Sequence, residues 1–252
     1  MRAEHNLGAL VLDWNGTVVD DLDRAMHATN IALAAVGTPS VTLDEFRDRF
    51  RLPMTAFFSG LGVPASALES AVSKWNAAMV AQPSRLSTGA RELLSACASH
   101  GMPAGVLSAA DPKVIASDVE RLELDGLLAF VRGNASDKAA DLCSLSQRYG
   151  AVMYVGDTTD DVVAGHGAGV LTVAYARGYH HRSRLAGARP HALVDELSEI
   201  IGLLRQLPDG VARTRTGLAA SLRVEPYETA VMPQKSTYFF PKLALGLFLH
   251  PI

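Results

Sequence analysis

Five short apolar runs punctuate the chain: GALVL (Gly8–Leu12), PAGVL (Pro103–Leu107), LLAFV (Leu127–Val131), AVMYV (Ala151–Val155) and VLTVA (Val170–Ala174). Each is bounded by Gly, Pro, Asp or Asn. Aliphatic runs of this length between turn formers predict buried strands. The last four are separated by stretches at helical spacing, such as DPKVIASDVERLEL and SDKAADLCSLSQRYG. Strands alternating with helices predict an α/β fold, a Rossmann-like, doubly wound parallel sheet.

The first gap breaks the rhythm. About ninety residues separate the first run from the second, against the dozen or so that a crossover needs. The gap reads as helices. DLDRAMHATNIALAAVG has an apolar face and stops at Gly37, and TLDEFRDRF opens with a capping box, Thr42 to Glu45. MTAFFSGLG and ASALESAVSKWNAAMVA each follow a proline, and TGARELLSACASHG then leads back to the sheet. The expected organisation is an α/β core of residues 1–19 and 85–207 with a helical insert, residues 20–84, after the first strand. Residues 208–252 have no sustained period and hold five prolines. They read as a disordered or loosely docked tail, with a partner-binding segment as the alternative.

Composition narrows the partners. A net charge of -3 from 23 basic and 26 acidic residues gives no reason to expect nucleic acid or an anionic membrane. The apolar runs fall short of the ~20 residues of a membrane span. The start of the chain lacks a secretory h-region and cleavage site. Cys97 and Cys143 lie in apolar helical stretches and read as buried thiols, which suits a reducing cytoplasm.

In open parallel sheets, ligands collect outside the carboxyl ends of the strands. Asp13 follows the first run, Ser108 the second, and Asp157, Asp160 and Asp161 of GDTTDD the fourth; Lys138 precedes the helix after the third. Singly, each has an ordinary explanation: a cap, a turn, a solvated helix residue, a helix start. Together they suit phosphoryl transfer. A carboxylate can attack phosphorus and form an acyl phosphate. A Mg²⁺ between Asp13 and Asp157 would offset their repulsion of an anionic substrate. Lys138 and Ser108 would neutralise and orient the transferring oxygens, and the N–H groups of the Asn15–Gly16 turn would add an anion nest.

LDWNGT (Leu12–Thr17), LSAA (Leu107–Ala110), Lys138 and GDTTDD (Gly156–Asp161) resemble, in order and spacing, the four motifs of the haloacid dehalogenase-like (HAD) hydrolase superfamily. The likeness spans roughly residues 7–206, and the helical insert resembles the small α-helical cap of phosphoglycolate phosphatase-like members. The resemblance implies that Asp13 is nucleophile and metal ligand, and that Asn15 offers its backbone carbonyl to Mg²⁺. Asp157 and Asp161 would complete the metal site, Asp161 through metal-bound waters or Lys138. Ser108, Lys138, Asn15 and Gly16 would bind phosphate, and Gly16 and Thr17 would shape the turn. The implied activity is Mg²⁺-dependent hydrolysis of a phosphorylated small metabolite through an aspartyl-phosphate, by a monomer or homodimer.

One residue departs from the pattern. Two positions after the nucleophile, most phosphatases of the family have an aspartate that protonates the leaving group; here stands Asn15. An amide cannot exchange a proton at neutral pH, and general acid–base help is typically worth about 10²–10⁴-fold. A weak or inactive protein that binds a phosphorylated ligand or a partner is therefore a second reading. A related phosphomutase or dehalogenase is a third, the dehalogenase disfavoured by the acidic GDTTDD. Elsewhere, GHGAGV (Gly165–Val170) reads as a helix stop, His180 and His181 as a solvated loop, and Arg47, Arg49 and Arg51 as mostly solvated. Trp14 is expected to line the entrance or pack on the cap.

Overall fold

The computed structural model describes residues 7–207; the tail expected after residue 207 lies outside them. In chain order the elements are β1 (Ala9–Leu12), β2 (Val19–Asp20), α1 (Leu22–Ala35), α2 (Leu43–Arg49), α3 (Met54–Gly60), α4 (Leu68–Ala81), β3 (Arg85–Leu86), α5 (Ala90–Ser99) and β4 (Ala104–Leu107). There follow α6 (Pro112–Arg121), β5 (Phe130–Arg132), α7 (Lys138–Tyr149), β6 (Val152–Gly156), α8 (Thr159–Ala168), β7 (Leu171–Tyr175), α9 (Arg182–Gly187), β8 (Ala192–Val194) and α10 (Glu199–Gln206).

Six strands form one sheet in the order β5-β4-β1-β6-β7-β8, with every pairing parallel. The chain builds outward from β1 to β4 and β5, then crosses to β6, β7 and β8 on the other side. β1 is thus the switch point, and the space beyond its carboxyl end is where such sheets bind ligands. Its four residues are all buried because both faces are covered. Leu10 and Leu12 join Val106, Met153 and Val155 in one layer, while Ala9 and Val11 join Tyr154, Leu142 and Leu145 in the other. In β4, a Cβ on Gly105 would lie 2.5 Å from the Phe130 ring of β5, so glycine lets these strands pack.

The third strand is shorter and later than its apolar run, Phe130–Arg132 in place of Leu127–Val131. Leu127 and Leu128 are apolar because they pack on the core from a turn. The sixth strand, β8, and the two-residue pair β2–β3 are too short to carry a period.

Helices α1 to α4 leave the core through β2 and return through β3, which pair antiparallel with Val19 opposite Leu86. Their own cluster includes Phe46, Phe50, Phe57, Phe58, Trp75 and Met79. Phe46 and Phe57 meet edge to face at 5.6 Å. The Thr42–Glu45 capping box forms in both directions. Tyr179, from the loop after β7, also packs into this cluster, 4.7 Å from Phe50 between ring centroids.

Candidate active site

β4, β1 and β6 are neighbours in the sheet, so Ser108, Asp13 and Asp157 emerge side by side at their carboxyl ends. Lys138 begins α7, whose N-cap Asp137 accepts from the Ala140 N–H. The Lys138 ammonium bonds Asp13 Oδ2 at 2.8 Å and Asp161 Oδ1 at 2.6 Å, and all three residues are buried. Oxygens of Asp13, Asp157 and Asp161 lie within 4.8 Å of one another. The expected group does converge.

The three carboxylates are held differently. Asp161 accepts four hydrogen bonds: Oδ1 from Lys138 and the Tyr154 hydroxyl at 2.7 Å, Oδ2 from the Thr158 N–H at 3.0 Å and the Thr158 hydroxyl at 2.6 Å. Asp157 accepts two, from the Thr17 hydroxyl and the Tyr179 N–H, both at 2.7 Å. Asp13 accepts from Lys138 and the Trp14 N–H at 2.7 Å, with the Ser108 hydroxyl also beside it. A carboxylate has about four acceptor positions, so Asp13 and Asp157 keep lone pairs that Asp161 does not.

Charge follows the same division. Burial raises the Asp157 carboxyl well above the ordinary carboxylate range, and the Asp161 and Asp13 charges raise it further. Burial also raises Asp13, against the pull of Lys138. Asp161 is lowered, because Lys138 and its hydrogen-bond donors outweigh its burial. Burial opposes the Lys138 charge, but Asp13 and Asp161 outweigh it and keep the ammonium protonated. One ammonium thus pairs with two of three clustered carboxylates, and the two that keep free lone pairs, Asp13 and Asp157, are those whose charged forms burial disfavours.

Two glycines make room for Asp157. A Cβ on Gly16 would lie 2.2 Å from Asp157 Oδ2, and one on Gly178 2.3 Å from the same atom. Gly16 also has φ +71°, which an L side chain rarely adopts. The expectation that the Gly16 N–H faces phosphate is corrected: it donates to Asp21 Oδ1 at 2.8 Å. The Asn15 side chain also turns to Asp21, its Nδ2 donating to Oδ2 at 2.5 Å.

Asp21 belongs to a second buried ionic cluster, absent from the sequence reading. It pairs with Arg24 at 2.9 Å, and Arg24 grips both oxygens of Asp118 at 2.7 and 2.8 Å. Asp118 also accepts from the Trp14 indole N–H and the Ser84 hydroxyl. Trp14 is therefore fully buried beneath the site and does not line its entrance. Tyr154 and Tyr179 were also missed. A tyrosine in the buried run AVMYV was a usable signal, since its hydroxyl must find a partner.

The loop after β7 ties the helical insert to the site. Arg47 donates to the Gly178 carbonyl at 2.9 Å and the Tyr179 carbonyl at 3.4 Å, so it is not a solvated arginine. Arg51 bonds the Ala56 carbonyl within its own unit, and Arg49 is exposed. His180, expected in solvent, is buried. Its Nδ1 accepts from the Thr159 N–H at 2.9 Å and its Nε2 faces the Phe50 carbonyl at 3.0 Å, which defines a neutral ring protonated on Nε2. Burial lowers its pKa accordingly. Asp160 accepts from the Leu52 N–H at 3.2 Å.

The switch point of a parallel sheet thus brings buried carboxylates with unused lone pairs to a buried lysine. The family model of haloacid dehalogenase-like hydrolases matches residues 10–175, and the chain belongs to that family. Its similarities place it in the phosphoglycolate phosphatase-like branch. It is 29% identical over 216 residues to a phosphoglycolate phosphatase of Synechococcus elongatus, covering 79% of this chain and 98% of that one. A phosphoglycolate phosphatase of Pseudomonas syringae pv. syringae is 24% identical over 213 residues, covering 76% and 78%. Among solved structures, a predicted phosphoglycolate phosphatase from Haemophilus somnus superposes with a TM-score of 0.71 at 18% identity, over 80% of this chain and 99% of that one. A haloacid dehalogenase-like family protein from Streptococcus pneumoniae gives 0.70 at 18% identity, over 79% and 98%. No helix among the described residues is long and apolar enough to cross a membrane.

Proposed function

We propose that the protein is a Mg²⁺-dependent phosphatase that hydrolyses a phosphorylated small metabolite through an aspartyl-phosphate at Asp13. The observation that carries this reading is the Asp13–Lys138 contact at the carboxyl end of β1, with Asp157 beside it and lone pairs free on both carboxylates. The phosphatase relatives point the same way.

The residues fit a hard divalent cation. Three buried carboxylates cluster around one ammonium, which pairs with two of them, and the ligand atoms on offer are all oxygen. Asp13 and Asp157 would hold the ion with the Asn15 carbonyl, and Asp161, whose acceptor positions are filled, would contribute chiefly by fixing Lys138. The bound ion would neutralise the phosphoryl oxygens and the carboxylates facing them.

The chain's own residues do the rest. Lys138 and Ser108 orient the transferring oxygens for attack by the lone pair that the Asp13 carboxylate keeps free. Thr17 and the Tyr179 N–H hold Asp157 in one orientation. Residues 20–84 act as a cap over the core of residues 1–19 and 85–207, and their contacts through Arg47 and Phe50 close the site from water.

Asn15 supports a second reading, a protein that binds phosphorylated ligands and turns them over weakly or not at all. Phosphate release from a panel of phosphometabolites and activated phosphates, with and without Mg²⁺, separates the two. The enzyme reading expects metal-dependent turnover that Asp13→Asn reduces at least 10³-fold, as loss of a nucleophile does. Binding without turnover in the parent would sink it.

A further inference from the structure

Asn15 is not a gap left by a missing acid, because its side chain has a partner. Its Nδ2 donates to Asp21 Oδ2 at 2.5 Å. Asp21 is buried and accepts three further hydrogen bonds, from the Gly16 N–H at 2.8 Å, Arg24 at 2.9 Å and the Tyr179 hydroxyl at 3.2 Å. Its roughly four acceptor positions are full. A carboxylate at position 15 would replace a donor with a second anion at hydrogen-bond distance. The nearby Arg24 already serves both Asp21 and Asp118. The amide at position 15 is matched to the carboxylate at position 21.

We propose that this pair fixes the substrate class: the enzyme takes phosphoryl groups from leaving groups that depart as stable anions, such as acyl and aryl phosphates, and not from alkyl phosphate esters. The proposal rests on the phosphatase reading above. In the first step, an Asp13 oxygen bonds to phosphorus, the bond from phosphorus to the leaving oxygen breaks, and its electron pair departs with that oxygen as the anion. In the second, water bonds to phosphorus, the Asp13–phosphorus bond breaks with its pair returning to the carboxylate, and the water protons leave on the phosphate. No protein proton is transferred in either step.

Other proton sources near Asp13 are committed elsewhere. Asp161 and Asp118 each accept four hydrogen bonds. Asp160 turns its Oδ2 to the Leu52 N–H of the helical insert, and the Tyr154 and Tyr179 hydroxyls donate to Asp161 and Asp21. The His180 ring is engaged at both nitrogens. Lys138 is held on Asp13 itself, the attacking side, whereas the leaving oxygen departs on the opposite side, in line. Asp157 is held by the Thr17 hydroxyl and the Tyr179 N–H and, under the phosphatase reading, is bound to the cation as a carboxylate. None of these groups is placed to protonate the leaving group.

The test is leaving-group dependence in the unmodified full chain with Mg²⁺. Acetyl phosphate and substituted phenyl phosphates are compared with ethyl phosphate and phosphoglycolate. The expected result is a kcat/KM preference of about 10²–10⁴-fold for the first group, carried by kcat. Turnover of the alkyl esters within tenfold of the aryl esters would overturn the proposal and leave the phosphatase reading intact. Phosphate release from neither class would overturn that reading, and the proposal with it.

The pairing is tested separately. Asn15→Asp combined with Asp21→Asn keeps one amide–carboxylate pair, moves the carboxylate to position 15 and leaves Arg24 on both Asp118 oxygens. It should shrink the preference at least tenfold, while Asn15→Asp alone should not. An equal gain from the single variant would overturn the matching of positions 15 and 21. Thermal melting checks that both variants fold, and if the double variant does not, the parent series decides.

Discussion

Two buried ionic clusters, joined along the chain by the stretch from Asp13 to Asp21, differ in how fully their oxygens are satisfied. At the junction of insert and core, Asp21 and Asp118 each accept four hydrogen bonds. At the sheet edge, Asp157 accepts two and Asp13 keeps a lone pair free. The junction is complete as it stands. The sheet edge is arranged for something further, a cation and a phosphoryl group under the proposal above. Burial alone does not separate the two, since all four carboxylates are buried; donor count does. By that measure Asp161, with four donors, resembles the junction and serves the site by fixing Lys138.

The comparison breaks most visibly at the junction. Asp118→Ala strips Arg24 of its bidentate partner and orphans the Trp14 N–H and the Ser84 hydroxyl. Breaking a buried pair from one side costs about 3–5 kcal/mol. Urea unfolding should show that loss, with or without Mg²⁺. A loss below about 1 kcal/mol would mean that the saturated cluster is not the structural one.

The sheet edge should behave in the opposite way. Asp157→Asn removes a charge that its neighbours disfavour, so the metal-free variant should be more stable than the parent at neutral pH. The sign follows from its raised pKa. The native state favours the protonated carboxyl, a contribution present below the unfolded value and lost as pH rises through the folded one. The advantage of the variant should therefore fade as pH is lowered toward the carboxylate range. The same variant should lose the stabilisation that Mg²⁺ gives the parent, about 2.7 kcal/mol at 100 Kd. Calorimetric melts across pH, with and without Mg²⁺, measure both effects. A metal-free variant less stable than the parent at pH 7 would remove the distinction between the clusters.

The two clusters also differed in how far they could be read from sequence. Asp13, Ser108 and Asp157 follow apolar runs, and strand-end position is a local property that a parallel sheet turns into proximity. Lys138 came with them because it opens the helix after a strand. The junction offers no such cue. Arg24 and Asp118 lie 94 residues apart, on helices from different units, and an arginine on an amphipathic helix looks solvated until its partner is known. His180 reads as loop for the same reason, since the Phe50 carbonyl that buries it comes from the helical insert. β2, β3 and β8 have two or three residues each, too few for alternation to register.

The finest test removes a single hydroxyl from each kind of carboxylate. Tyr154→Phe takes one donor of four from Asp161, and Thr17→Val takes one of two from Asp157. Both donors are buried, both bonds measure 2.7 Å and both replacements keep the shape of the side chain. A hydrogen bond to a charged group is worth about 1.5–3 kcal/mol, so Tyr154→Phe should cost stability near the lower end. Asp161 keeps Lys138 and Thr158, so Mg²⁺ affinity should change less than threefold. Thr17→Val leaves Asp157 with the Tyr179 N–H alone. Loss of a group that orients a metal ligand typically weakens binding about 10–100-fold, and that is where this variant should differ. Mg²⁺ titrations of both variants, read by melting temperature and by phosphate release, compare the two. If both lose the same affinity, donor count does not divide these carboxylates, and Asp161 belongs among the ligands.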